Sequence, residues 1–438
     1  MIHEVRLPEE TKTCLGLIVD LQMDILECVA NLDPGFTEEA LQDALAGKMP
    51  ERAGEVTEWL HRSKNVWESL QEFARGCKSQ KHYLVSRMRL DIQRLYEGDC
   101  DETLECLFTQ AQSGDYCKGA RKFLLNVYDR WRRNGLKASL FHDNPNELCL
   151  HIEEYGPNQF LAAFARENPL TVCAICDGHT FIEVSSGDYM AEIEHYFPRS
   201  IYPHLALHPY NLIPICRICN QQHRDKDPLE APNEKQRELP NERQRKLSEV
   251  FLPYRPDSVS RRGALKLEWN VKDAAKDAAK SPAFKILSID EERFRAFYKR
   301  VRALSDIYDI PNRWTNNTHQ IGEKLWRRIR GYFLALPYPG DKLDKQVVQA
   351  RLKELMWCLI EDQGREPWGY VLVWYLANIM VEELEQRTPV EENPLVATIQ
   401  DIPSTVLSHR PLHPGGLGVD EILQAVRKWH SQSNLDVP

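Results

Sequence analysis

The chain reads as mainly α, with a small α+β module at its centre, and three observations predict this. Apolar residues recur at three- and four-residue steps through residues 8–135 and again from Asp290 onward, the period of helices that bury one face. Between those regions, residues 173–228 drop that period and gather two Cys-x-x-Cys pairs, short apolar runs and turn residues. The length, 438 residues, exceeds what one hydrophobic core usually serves, so two to three domains are expected. The division that follows is a helical scaffold or docking domain over 1–135, the central module over 136–235, a basic linker and helix over 236–310, and a C-terminal helical domain over 311–438.

The first helix shows in Leu15, Ile18, Leu21, Ile25, Val29 and Leu32, and Asp33-Pro34-Gly35 ends it. Thr37 with Glu38 and Glu39 has the form of a cap with an acidic first turn. Trp59, Val66, Leu70 and Phe73 continue the pattern to Gly76; Leu84, Met88, Ile92 and Leu95 stop before Gly98; Phe123, Val127 and Trp131 stop before Gly135. A strand is expected over Leu148–Glu153 and a helix over Asn158–Glu167. After the centre, Leu229–Glu242 reads as an exposed linker, Ala264–Trp269 as a strand, and Lys272–Lys280 as a soluble helix. From Asp290 an amphipathic helix runs through Phe294, Phe297, Val301 and Leu304, with Arg293, Arg295, Lys299, Arg300 and Arg302 on its other faces. Later helices are expected over Ile321–Phe333, Val347–Ile360, Tyr370–Leu384 and Asp420–Trp429.

A net charge of −9 argues against a surface coated for nucleic-acid binding, yet residues 240–302 carry sixteen Lys/Arg against nine Asp/Glu. The N-terminus lacks a signal-peptide pattern, and the longest apolar run, near Val371–Val381, is interrupted by Asn378. A cytoplasmic protein with no membrane contact is therefore expected. Eight of the twelve cysteines are scattered without framework spacing and read as reduced core or surface residues.

The other four carry chemistry. Cys173/Cys176 and Cys216/Cys219, about forty residues apart, can close a tetrahedral structural Zn²⁺ site from two tight knuckles. A redox pair would need one exposed Cys-x-x-Cys at a helix start, which two pairs bracketing polar residues do not resemble. Inside the bracket, Thr180–Val184 and Tyr189–His195 are expected to form a hairpin about Ser185-Ser186-Gly187-Asp188. That puts Glu194 and His195 on opposite faces of a strand end. Ile218–Lys226 has helical composition and stops at Pro228, so Asn220 and His223 share a face. Such a set can hold one divalent cation beside a base.

The order Glu194-His195, then Asn211 in Asn-Leu-Ile-Pro-Ile-Cys, then Cys-x-x-Cys-Asn-x-x-His resembles the zinc-stapled branch of the HNH endonuclease family, over about 170–228. The resemblance implies a ββα-metal module set between helical domains. It implies His195 as the general base, Asn211 as the residue pinning the loop that orients it, and Glu194 and Asn220 as ligands of catalytic Mg²⁺ or Mn²⁺, with His223 a further ligand or phosphate contact. Glu194 stands where the family usually has Asp, a longer arm that moves the metal or admits a water. Nucleic-acid contacts are expected from Arg199, Arg217, Lys226, Arg261 and Arg262. The function so implied is hydrolysis of DNA phosphodiesters, RNA not being excluded, by the effector of a bacterial anti-phage defence system. Control would come from a sensor or ATPase partner, or from homo-oligomerisation. The alternative is a non-catalytic zinc-ribbon protein for nucleic-acid binding or assembly.

Overall fold

The computed structural model describes residues 3–98, 101–108, 114–143, 153–178, 191–224, 226–230, 245–255, 265–268, 283–286 and 295–317, with isolated positions between 321 and 372. Six helices come first: α1 (Glu9–Ala30), α2 (Glu38–Ala46), α3 (Ala53–Arg62), α4 (Lys64–Ala74), α5 (Lys78–Glu97) and α6 (Asp115–Asn134). Most end close to the breaks the sequence marks, but the pattern read as continuous from Trp59 to Phe73 is divided at Ser63 into α3 and α4. Gly35, Gly98 and Gly135 all take positive φ, which lets the chain turn out of a helix without a Cβ clash. The Thr37 hydroxyl accepts the Ala40 amide at 3.3 Å and caps α2.

The tightest pairing among these helices is α4 against α6, and Gly119 makes it possible. A Cβ at 119 would lie on the Phe73 amide nitrogen and 2.7 Å from the Ser69 carbonyl oxygen. Helix α6 is thereby held close, with Phe123, Leu124, Val127 and Trp131 buried.

The remaining described elements are β1 (Leu136–Lys137), β2 (Glu154–Tyr155), α7 (Pro157–Glu167), β3 (Glu192–His195), β4 (Leu212–Ile215), α8 (Arg217–His223), β5 (Leu265–Glu268), β6 (Ala283–Ile286), α9 (Arg295–Tyr308) and α10 (Ile310–Asn316). Strands pair as β1–β2, β3–β4 and β5–β6, all antiparallel. The architecture is mainly helical with a small α+β centre. The hairpin expected over Thr180–His195 lies outside the described residues except for β3, whose described partner is β4, in the register Glu194↔Ile213 and His195↔Leu212. The strand expected at Leu148–Glu153 is described only from Glu153, and Lys272–Lys280 lies outside the described residues, as do the tail helix at Asp420–Trp429 and most of the helices expected between 321 and 384. Helix α8 ends earlier than its composition suggests, because Arg224 turns left-handed at φ 36 before Lys226 is reached.

One buried apolar cluster runs from α1 through α6 into the loop after β3, taking in Tyr196, Phe197, Tyr202, Leu205 and Leu207, and on to Leu252. It crosses the expected boundary at 135/136. The start of the chain is stitched to the centre: the His3 amide donates to the Ala174 carbonyl at 3.0 Å, and His3 Nε2 to Asp177 Oδ1 at 2.6 Å. Among the described residues no helix is long and apolar enough to cross a membrane, and none of the described cysteines forms a disulfide.

Candidate functional site

The four bracket cysteines converge. Their Sγ atoms all lie within 4.8 Å of one another, with Cys173–Cys219 at 3.9 Å and Cys176–Cys216 at 3.8 Å. Four thiolates at ~2.3 Å from a tetrahedral Zn²⁺ would stand about 3.8 Å apart, so the donor set fits that ion. The cysteine amides of 216 and 219 donate to Sγ of Cys173 and Cys216, each at 3.4 Å. Hydrogen bonding from Cys173 pulls the Cys176 thiol down to about 7, and bonds from Cys173, Cys176 and Cys219 pull Cys216 far lower. Burial pushes Cys173 and Cys219 well up. A buried set of this kind calls for a cation to hold the thiolates together. Among the described residues no other group of three or more Cys, His, Asp or Glu side chains converges in this way.

Helix α10 closes over this knot. Arg313 Nη1 donates to Cys219 Sγ at 3.2 Å, and the Trp314 indole donates to the Cys176 carbonyl at 3.1 Å. Against the downward pull of burial, the Cys219 and Cys176 sulfurs hold the Arg313 guanidinium above its usual value. Nothing in the local sequence around 313 points to this contact; it is long-range packing.

Beside the knot lie the residues singled out within the bracket. Strand alternation puts Glu192 and Glu194 on one face of β3 and Ile193 and His195 on the other. Asn211 is fully buried and clamps the loop after β3: its Oδ1 accepts the Phe197 amide at 2.7 Å, and its Nδ2 donates to the Phe197 and Leu205 carbonyls at 3.1 and 2.8 Å. That loop then carries Ala206, whose carbonyl accepts His195 Nε2–H at 3.1 Å. With Nε2 as donor, Nδ1 is the ring's proton acceptor. Burial, followed by the nearby Arg199 charge, drives His195 down to about 3, so the imidazole is neutral at neutral pH.

Helix α8 brings Asn220 and His223 to the carboxylate face. The Asn220 amide donates to Glu192 Oε2, which leaves its Oδ1 for a cation. His223 is fully buried, stacks on Tyr308 with ring centroids 5.7 Å apart, and gives its Nε2–H to the Tyr196 carbonyl at 3.1 Å. Its Nδ1 then faces Glu194 Oε1 at 2.7 Å, out of hydrogen-bond alignment. Two acceptors so close repel unless a proton or a metal ion lies with them. Cis ligands of a hard cation at ~2.1 Å stand about 3.0 Å apart, close to the separation of Glu194 Oε1 and His223 Nδ1. Glu192 belongs to no motif, yet its place two residues before Glu194 on a strand puts it on the same face.

The site opens into a cleft of about 640 Å³ whose floor includes Glu192, Glu194, His195 and Asn220. Its far wall is α6. The Tyr128 ring meets His195 edge-on at 4.7 Å, and Arg199 lies 4.8 Å over the same ring while its Nη1 is 3.5 Å from Asp129. Tyr128 and Arg132 carry no motif signal; only the fold brings them here. Of the expected nucleic-acid contacts, Arg199 lines the cleft, Arg217 is exposed on α8, and Lys226 donates to the Ile307 carbonyl at 2.7 Å at the end of α9. Arg261 and Arg262 lie outside the described residues. On α9, Lys299 pairs with Glu249 and Arg300 donates to the Ser248 carbonyl at 2.8 Å, so these two basic residues pack against the 247–249 turn. His204 and His208 are buried in the loop after β3, His204 Nε2 lying 3.3 Å from Asp91 and the His208 ring tilted against Tyr96 with centroids 4.3 Å apart. Comparison of the chain with protein-family models, with curated proteins and with solved structures finds no match.

Proposed function

We propose that this chain is a metal-dependent endonuclease of the HNH type, hydrolysing phosphodiester bonds in DNA. What supports the reading is the convergence of His195, Glu194 and Asn220 on one cleft from β3 and α8, with buried His223 against Glu194 and Asn211 clamping the loop that holds His195. The neutral imidazole of His195 accepts a proton at Nδ1 from a water whose oxygen bonds to phosphorus. The P–O3′ bond breaks, leaving a 5′-phosphate, and the 3′ oxygen takes its proton from solvent. Mg²⁺ or Mn²⁺ held by Glu194, Asn220 and His223 would neutralise charge on the phosphate and on the leaving oxygen. Arg199 offers a guanidinium to the strand. Structural zinc in the Cys173/Cys176/Cys216/Cys219 knot would fix β4 and α8 as one unit. On this reading the acidic helical part is the controlling part. The setting is an effector nuclease of an anti-phage system, released by a protein partner or by self-association.

The test is plasmid cleavage by the purified chain with Mg²⁺ or Mn²⁺, compared with His195→Ala. Nicked or linear product from wild type and none from the variant, at unchanged zinc content and melting, is the expected result. Equal inactivity of both, with each metal and candidate partner, sinks the proposal. The rival reading, a non-catalytic zinc-knot protein, has one observation in its favour: the Asn220 amide and the Glu192 carboxylate are already engaged with each other. The same assay decides between the two.

A further inference from the structure

The cleft over the candidate centre has two walls of different origin, and its floor is nearly closed off from solvent. One wall is β3 and the C-terminal half of α8; the other is α6, which contributes Tyr128, Trp131 and Arg132. His195, at the floor, is only 7% exposed, with the Tyr128 ring against it. Three guanidinium groups border the opening: Arg132 from α6, Arg199 from the loop after β3, and Arg224 at the end of α8. In the α6 wall, Trp131 is fully buried and its indole Nε1 has no hydrogen-bond partner.

A cleft of about 640 Å³ is of the size that holds one small molecule, or a nucleotide or two of a strand. A duplex is a stiff rod with a persistence length of about 50 nm and a major groove alone about 12 Å wide. His195 is nearly buried at the floor between α6 and β3, so a phosphate reaches it only by entering that cleft, which a flexible strand does at less cost than a stiff duplex. A single strand can bend one phosphate inward between guanidinium groups, and a positively charged groove that tracks the backbone is the usual feature of single-strand sites.

We propose that this cleft selects an unpaired polynucleotide strand, which passes between Arg132 on one side and Arg199 and Arg224 on the other, so that single-stranded or locally melted nucleic acid is the substrate class. The cutting of that strand rests on the nuclease reading above; the binding preference does not. Unpaired DNA and RNA share the recognised chemistry, and the choice between them is an arm of the test.

The test is fluorescence anisotropy with the full chain, without added divalent metal and without chelator. The probes are labelled 20-nucleotide dT and rU strands and a 20-base-pair duplex. Single strands should bind about ten-fold tighter or more than duplex, and Arg132→Glu should remove about that factor while the neighbouring, exposed Arg133→Glu does not. In the cleavage assay, a bubble should be cut within its unpaired stretch in preference to the matched duplex. Equal or tighter duplex binding overturns the inference, and so does an Arg132→Glu loss no greater than that of Arg133→Glu. If duplex is bound and cut, with His195→Ala inactive, the nuclease reading stands and this inference falls. If single strands are bound selectively and nothing is cut, the inference stands and the nuclease reading falls.

Discussion

Asn211 shows how much one side chain can hold when it is fully buried and fully bonded. Its amide satisfies the Phe197 amide, the Phe197 carbonyl and the Leu205 carbonyl, and so fixes both ends of the loop whose Ala206 carbonyl orients His195. Asn211→Ala leaves those groups buried without partners, at a cost of roughly 2–4 kcal/mol. Asn211→Asp keeps the shape but points a carboxylate oxygen at two carbonyls, so it should destabilise at least as much in a denaturant titration. Equal stability of the Asp variant and wild type would show that the clamp is not made of these bonds. His208 makes a different residue-scale prediction. It is fully buried, and burial, with the Arg255 and His204 charges adding, holds it at about 3 against 6.5 for the free group. Its folded value is the lower one, so the unfolded chain takes the proton first. Stability is fully present above pH 6.5 and is lost as pH falls from there toward 3, by on the order of 2 kcal/mol at pH 5. His208→Asn keeps an acceptor for the Tyr210 amide, which donates to His208 Nδ1 at 3.2 Å, and should flatten that part of the melting-temperature profile between pH 7 and 5. An unchanged slope assigns the acid sensitivity to other groups.

At the scale of elements, the centre is built from two short strands and one short helix, none of which buries enough surface to stand alone. The thiolate knot, α10 above it and α6 beside it supply what is missing. The positions of most of the described helices were legible in the sequence because their signals are local: period, cap and glycine stop act within a few residues. The bracket was legible because Cys-x-x-Cys spacing and the Glu194-His195 and Asn220/His223 placements are also local. The pairing of β3 with β4, the closure by Arg313 and Trp314, and the α6 wall were not. Each depends on a contact between residues far apart in the chain, about which hydrophobic period is silent. Gly119 is the instructive case, since a glycine inside a helical pattern reads as a weakness until α4 is seen against it. Gly119→Ala should gain a little helix propensity yet lose about 1–3 kcal/mol or more to overpacking, because the atoms it meets are backbone. Thermal melting checks the sign. A rise in melting temperature would mean that α4 and α6 can part at little cost, and that the cleft wall is softer than its packing implies.

For the whole molecule, the question is whether the central module is a domain at all. Besides its bonds to His195 and Asn211, the loop between β3 and β4 packs among α5 and α6: Tyr202 approaches Cys106 at 3.8 Å, His204 approaches Asp91, the Ser200 carbonyl accepts from Arg121 at 3.2 Å, and the His208 ring meets Tyr96. Tyr196, Phe197, Tyr202, Leu205 and Leu207 are all fully buried in the shared cluster. Excising residues 136–235 would return much of that surface to water. Five large side chains at roughly 2 kcal/mol each come to about 10 kcal/mol, the scale of an entire domain's stability. Zinc binding offsets part of this but holds only the knot and the elements touching it. The 136–235 fragment is therefore expected to bind one Zn²⁺ through its four cysteines and still lack a dispersed amide spectrum, whereas residues 1–317 with zinc should be cooperatively folded. If the fragment alone gives a sharp, protected spectrum in heteronuclear NMR, the shared core is dispensable. The helical part would then be a neighbour of the candidate site and not one of its walls.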